Sequence, residues 1–204
     1  MKNNFLSRAI AVALVAFVVG AAPLPAAAQS QALNIAPTER PDGLVPSVTD
    51  PMSHTIYTLA WNMGVSPESL LGKPARTAKM LAMQEWLTQR LLTGETMDFD
   101  GLDLLQMERS REVFRLMLGI AADAPAERVI PYLWELSQAY ASGNDARVSA
   151  ILTSDLFAKS ESELRAQLQA FSVPVDRSRA IQRVEDSFKD SNVNDDGGCR
   201  DSAC

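Results

Sequence analysis

Between Ile56 and Phe188 apolar residues return at steps of three and four, and no useful stretch alternates apolar with polar. Nothing else in the chain limits its fold so strongly. Side chains at those steps share one face of an α-helix, whereas a half-buried strand shows a period of two. Ile56, Leu59, Ala60 and Met63 make the first stripe, and Gly64 is expected to stop that helix. Ser66-Pro67 starts a short helix that ends at Gly72. Pro74 opens a longer one carrying Met80, Met83, Leu87 and Leu91, with Gly94 beyond its end. Asp100 is placed to cap the next, where Leu102, Leu105, Val113, Leu116, Met117 and Ile120 form the expected core stripe. Pro125 or Pro131 starts another, with Val129, Ile130, Leu133, Trp134, Ser137, Tyr140 and Ala141 as a broad apolar face and Gly143 after it. Asp145 is expected to cap a helix reaching Phe157. Ser160 and Glu163 have the spacing of a capping box ahead of Leu164, Leu168 and Phe171. Asp176 precedes Ile181, Val184 and Phe188. The class expected is all-α, a compact array of about seven short helices over residues 50–189.

The ends read differently. Lys2 and Arg8 precede an apolar run over residues 9–22, then Pro23, Pro25 and Ala26-Ala27-Ala28. A charged start, an apolar stretch and a small-residue site are the parts of a cleaved secretory signal. The run falls short of the roughly 20 residues that span a bilayer. Cleavage is expected after Ala28, giving a periplasmic or secreted chain that starts at Gln29 with no membrane span. No Arg-Arg pair and no cysteine at the cleavage site is present, so a Sec-type route without lipidation is expected. Removing Lys2 and Arg8 from 19 Lys+Arg leaves 17 against 25 Asp+Glu, a net charge of −8. Such a surface repels phosphate backbones and anionic membranes, so no nucleic-acid partner is expected. Residues 29–49, with Pro37, Pro41 and Pro46, read as a disordered leader.

The C-terminal residues 190–204 read as an acidic flexible tail. They hold both cysteines, Cys199 and Cys204, which fit an oxidising compartment and could close a local disulfide. Asp190, Asn192, Asn194 and Asp196 copy the first half of a calcium loop, which takes oxygen ligands from alternate positions. No register closes the cage. Counting from Asn192 brings Gly197 to the sixth place but Ala203 to the twelfth, where a bidentate Glu is needed. No metal or other cofactor is therefore expected. Thioether pairs can hold Cu(I), but Met80 and Met83 fall on a Leu stripe and read as core. His54, the sole histidine, shares a helix face with Tyr57 and Trp61, and the three are candidate binding residues.

Residues 55–72, "TIYTLAWNMGVSPESLLG", resemble two families. With Ala60, Gly64, Val65 and Leu70 the stretch is similar to the helix-turn-helix of DNA-binding regulators, a reading that export and acidity oppose. With Leu59-Ala60 and Gly64-Val65-Ser66 it also resembles the helical half of LysM peptidoglycan-binding modules, although the strands of that βααβ fold are not visible. A third resemblance, to lytic transglycosylases, rests on "ESLLG" from Glu68, on Met83-Gln84 and on "QAYASGNDARV" over residues 138–148. It would imply a periplasmic helical enzyme with one glutamate, Glu68, as acid and base. Leu81-Ala82 stands where that family has Gly-Leu, and the late motif lacks its second glycine.

The reading that follows is an exported, non-catalytic helical protein, an adaptor or accessory subunit whose partner is another envelope protein. The alternative is a protein that binds or cleaves peptidoglycan.

Overall fold

The structure, a computed structural model, describes residues 40–47, 50–93 and 99–196, with side chains omitted for 192–196. All lie in the unit Ala32–Cys204. The expected signal peptide, most of the expected leader, Gly94 and both cysteines fall outside the described residues.

The fold is all-α, as the periodicity predicts. Helix α1 (Pro51–Leu59) runs into a π turn (Ala60–Val65) and a 3-10 turn (Pro67–Leu70). Then come α2 (Pro74–Leu92), α3 (Gly101–Leu118), α4 (Ala126–Ala141), α5 (Asp145–Leu152), α6 (Glu161–Gln169) and α7 (Val175–Asp196). The described residues hold no strand, only an isolated antiparallel bridge between Ile120 and Phe157.

Local chemistry sets the helix ends. The Asp50 carboxylate accepts from the Met52 and Ser53 amides at 3.0 and 3.1 Å, and Pro51 takes the first helical position, where no amide hydrogen is needed. Hydrogen bonding, from the Ser53 hydroxyl above all, holds the Asp50 carboxyl below its ordinary range. Asp100 caps α3 as expected, through the Leu102 amide. Pro125 precedes α4 and Pro131 lies inside it. At α5 the cap is Asn144, accepting from the Arg147 amide at 3.1 Å. Asp145 is the first helical residue, and the helix stops at Leu152 rather than Phe157. The Ser160–Glu163 capping box closes in both directions.

Helix α2 is the spine. Every residue over 80–88 is buried, so it has no solvent face and must be covered on all sides. Helix α4 packs along it most extensively, and α1, α3 and α6 cover the rest. Met80 and Met83 lie in this core, where methionine fills gaps. Helix α7 lies along the π turn, α3 and α1. The last part of the expected leader also belongs to the core. Leu44 and Val45 are 0% and 1% exposed, after a turn in which the Leu44 amide donates to the Pro41 carbonyl. Each such burial is worth about 1.5–3 kcal/mol, which ties residues 40–47 to the helices.

Two further expectations are corrected. On α3 three members of the expected core stripe face water: Leu102, Leu105 and Leu116 are exposed, whereas Ile120 is buried and Met117 packs against the core, and the buried face of the helix is Asp103, Met107, Ser110, Phe114, Arg115 and Leu118. The polar members of that face are tolerated because each has a partner. Ser187 donates to Asp103, Ser110 donates to the Gln106 carbonyl, and Arg115 binds Glu85. At the other end of the chain, α7 continues through Asp190 to Asp196, so residues 190–196 are helical rather than tail. Asp190, Asn192, Asn194 and Asp196 thus lie within the backbone span of α7.

Candidate functional site

Two side chains, one from the π turn and one from α7, take a partner's role in the backbone ladder of the α1–π segment. The Asn62 amide donates to the Thr58 carbonyl at 2.8 Å, a carbonyl that an ordinary α-turn would offer to the Asn62 backbone. From α7, the buried Ser178 hydroxyl donates to the Gly64 carbonyl at 2.7 Å. The Ser66 amide reaches five residues back, to Trp61, at 2.8 Å. The wider turn carries Ala60, Asn62, Met63 and Gly64 inward. Trp61 and Val65 are left outside, 59% and 53% exposed, and Tyr57 one turn earlier is exposed as well. Gly64 is what lets the turn sit so close to α7, since a Cβ there would stand 2.7 Å from Gln182 Cγ.

Tyr57, Trp61 and Val65 thus form an exposed apolar stripe on a buried support. Helix α7 steadies one end of it. The Phe188 ring meets Tyr57 edge-on, centroids 5.8 Å apart at 84°. Lys189 sits 5.9 Å from the centre of the Tyr57 ring, and Glu185 holds its ammonium at 2.7 Å. That hydrogen bond raises the Lys189 pKa. Exposed aromatics held in place by packing give contact area at small entropy cost, the property that makes Tyr and Trp frequent anchors of interfaces. π turns also recur at functional positions.

Two of the three expected binding residues, Tyr57 and Trp61, belong to this stripe. His54 is half-buried one turn before Tyr57. Val65 was missed, because Gly64 reads as a helix stop. The chain continues past it only because α7 supplies the hydroxyl that the Gly64 carbonyl needs.

Glu68, the candidate acid, stands exposed in the first turn of the 3-10 segment. The carboxylate that is buried is Glu85, which sequence reasoning passed over. Both of its oxygens are held at 2.7 Å by Arg115, whose remaining nitrogen donates to the Ala122 and Ala124 carbonyls at 2.7 Å. A carboxylate gripped this way is a staple between α2, α3 and residues 121–124. A glutamate lying between the apolar stretches Met80-Leu81-Ala82-Met83 and Trp86-Leu87 of α2 was the available signal. Among the described residues no three His, Cys, Asp or Glu side chains are grouped to hold a metal ion, and no helix is long and apolar enough to cross a membrane.

Comparison of the chain with protein-family models, with curated proteins and with solved structures found no match.

Proposed function

We propose that this chain is an exported, non-catalytic interaction protein of the bacterial cell envelope, and that it holds another envelope protein through Tyr57, Trp61 and Val65. The observation that carries the reading is Trp61. A tryptophan 59% exposed, on a turn fixed by Asn62 and Ser178, spends a large apolar side chain on solvent. Such a residue adds little to folding and much to a contact. The charged and apolar start of the sequence supports export. Mass spectrometry of the processed protein tests that part, with a first residue of Gln29 expected and an uncleaved chain contradicting it. Crosslinking in intact cells, followed by identification of the adduct, tests the contact. An envelope protein captured by wild type and lost on Trp61→Ala supports it, and an adduct indifferent to that change opposes it.

A second reading has its own observation. Two exposed aromatic rings on one stripe can stack on the faces of sugar rings, and residues 55–72 resemble the helical half of LysM modules. Sedimentation with purified sacculi decides it. Pelleting lost on Trp61→Ala makes the ligand peptidoglycan. Release of muropeptides, lost on Glu68→Gln, would make the protein an enzyme and overturn the non-catalytic reading.

A further inference from the structure

The outer face of α3 is a second surface. Leu102, Leu105, Arg109, Glu112 and Leu116 follow one another at steps of three and four, the a and d spacing of a helix–helix seam. All five are exposed, Leu116 to 75%, and Val113 is half-buried beside them. The opposite face of α3, with Met107, Phe114 and Leu118, is spent on the core. Glu108 and Arg111 pair with each other on the flanks. The seam itself therefore presents three leucines, one cation and one anion.

The order of those five residues suggests what covers them. In an antiparallel pair, a positions meet d positions across the seam. The register that sets Leu105 opposite Leu116 of a second α3 also sets Arg109 opposite Glu112. A twofold axis then repeats both pairs, because each residue that receives a partner also supplies one. The layers read leucine on leucine, arginine on glutamate, glutamate on arginine, leucine on leucine. Leu102 falls opposite the turn at Gly119, beyond the paired layers and beside the Lys159 side chain that packs on that glycine. A parallel pair would instead set Arg109 against Arg109 and Glu112 against Glu112.

We infer that a second copy of this chain docks antiparallel along α3, with Leu105 against Leu116 and Arg109 against Glu112 in both directions. The surface is distinct from the Tyr57, Trp61 and Val65 stripe and does not depend on it. A single helix pair is small beside the roughly 1,600 Å² of a standard interface, so the association is concentration-dependent.

Sedimentation equilibrium of the full chain up to about 1 mM reads the dimer directly. Wild type is expected to dimerise. Arg109→Glu sets carboxylate against carboxylate in both central layers and is expected to weaken the dimer at least about tenfold. Arg109→Glu with Glu112→Arg restores both pairs in exchanged order and is expected to return the affinity close to wild type. Far-UV circular dichroism shows that each variant is folded, which these exposed positions should permit. A wild-type chain that stays monomeric, an Arg109→Glu chain that dimerises as wild type does, or a double variant that fails to recover would each overturn the inference.

Discussion

Arg115 holds both carboxylate oxygens of Glu85 at 2.7 Å, with each side chain only 3% exposed. The pair joins α2 to α3, and the same guanidinium ties down the carbonyls of Ala122 and Ala124. Neither ion could be buried alone, and together they satisfy most of each other's hydrogen-bonding capacity.

Removing one partner should therefore cost more than removing both. Arg115→Met is expected to lower the unfolding free energy by about 3–5 kcal/mol, because it strands a buried carboxylate. Adding Glu85→Leu should recover part of that loss. The remainder should persist, because the two carbonyls that Arg115 served stay unpaired. Urea unfolding of the two single variants and the double variant measures the coupling.

Gly64 makes a different kind of demand. Alanine there would bring a Cβ within 2.7 Å of Gln182 Cγ, so the Gln182 side chain, α7 or the π turn must shift. Gly64→Ala is expected to destabilise by about 1–3 kcal/mol through overpacking. Gln182→Ala in the same chain should relieve most of it by opening the space. A double variant no more stable than Gly64→Ala would show that the turn resists for another reason. Unfolding midpoints of the three variants supply the comparison.

The capping box gives a pH dependence of known sign. The Ser160 hydroxyl and amide both donate to Glu163, at 2.6 and 2.9 Å, and these bonds hold the Glu163 pKa below its ordinary value. The stability this contributes is present above the ordinary glutamate pKa of about 4.3 and is lost as pH falls through the depressed folded value. Ser160→Ala should cost about 1 kcal/mol near neutral pH, as N-cap losses do. The gap between variant and wild type should narrow as acid protonates Glu163. A gap that stayed constant into acid would mean that the glutamate does not take part.

How far the sequence discloses the fold depends on the kind of interaction. The helices, the caps at Asp50 and Asp100, and the Ser160–Glu163 box are local, and spacing and side-chain chemistry within four residues reveal them. The face of α3 is not local. Periodicity selects Leu102, Leu105 and Leu116 for the core, yet Asp103, Ser110 and Arg115 lie inside because partners from α2, α7 and α3's own carbonyls satisfy them. No pattern within α3 records Ser187 or Glu85. The candidate site divides the same way. Tyr57 and Trp61 show as a stripe in the sequence, but Val65 joins them only because Ser178, over a hundred residues later, supports the turn.

Trp61 should be nearly silent in folding. Core Trp→Ala changes cost about 3–5 kcal/mol, whereas exposed substitutions stay within about 0.5 kcal/mol. Trp61→Ala is expected to fall in the second range when unfolded by urea. A loss of core size would show that the side chain supports the fold, and the interaction reading would lose its main observation.

The most direct test of the account places a photo-activated crosslinking residue at position 61 and, as a control, at exposed Ser162 on α6, in intact cells that produce the protein. The expected result is one discrete envelope-protein adduct from position 61, absent from position 162 and abolished when Val65→Asp is added. Equal labelling from both positions, or none from position 61, would contradict it.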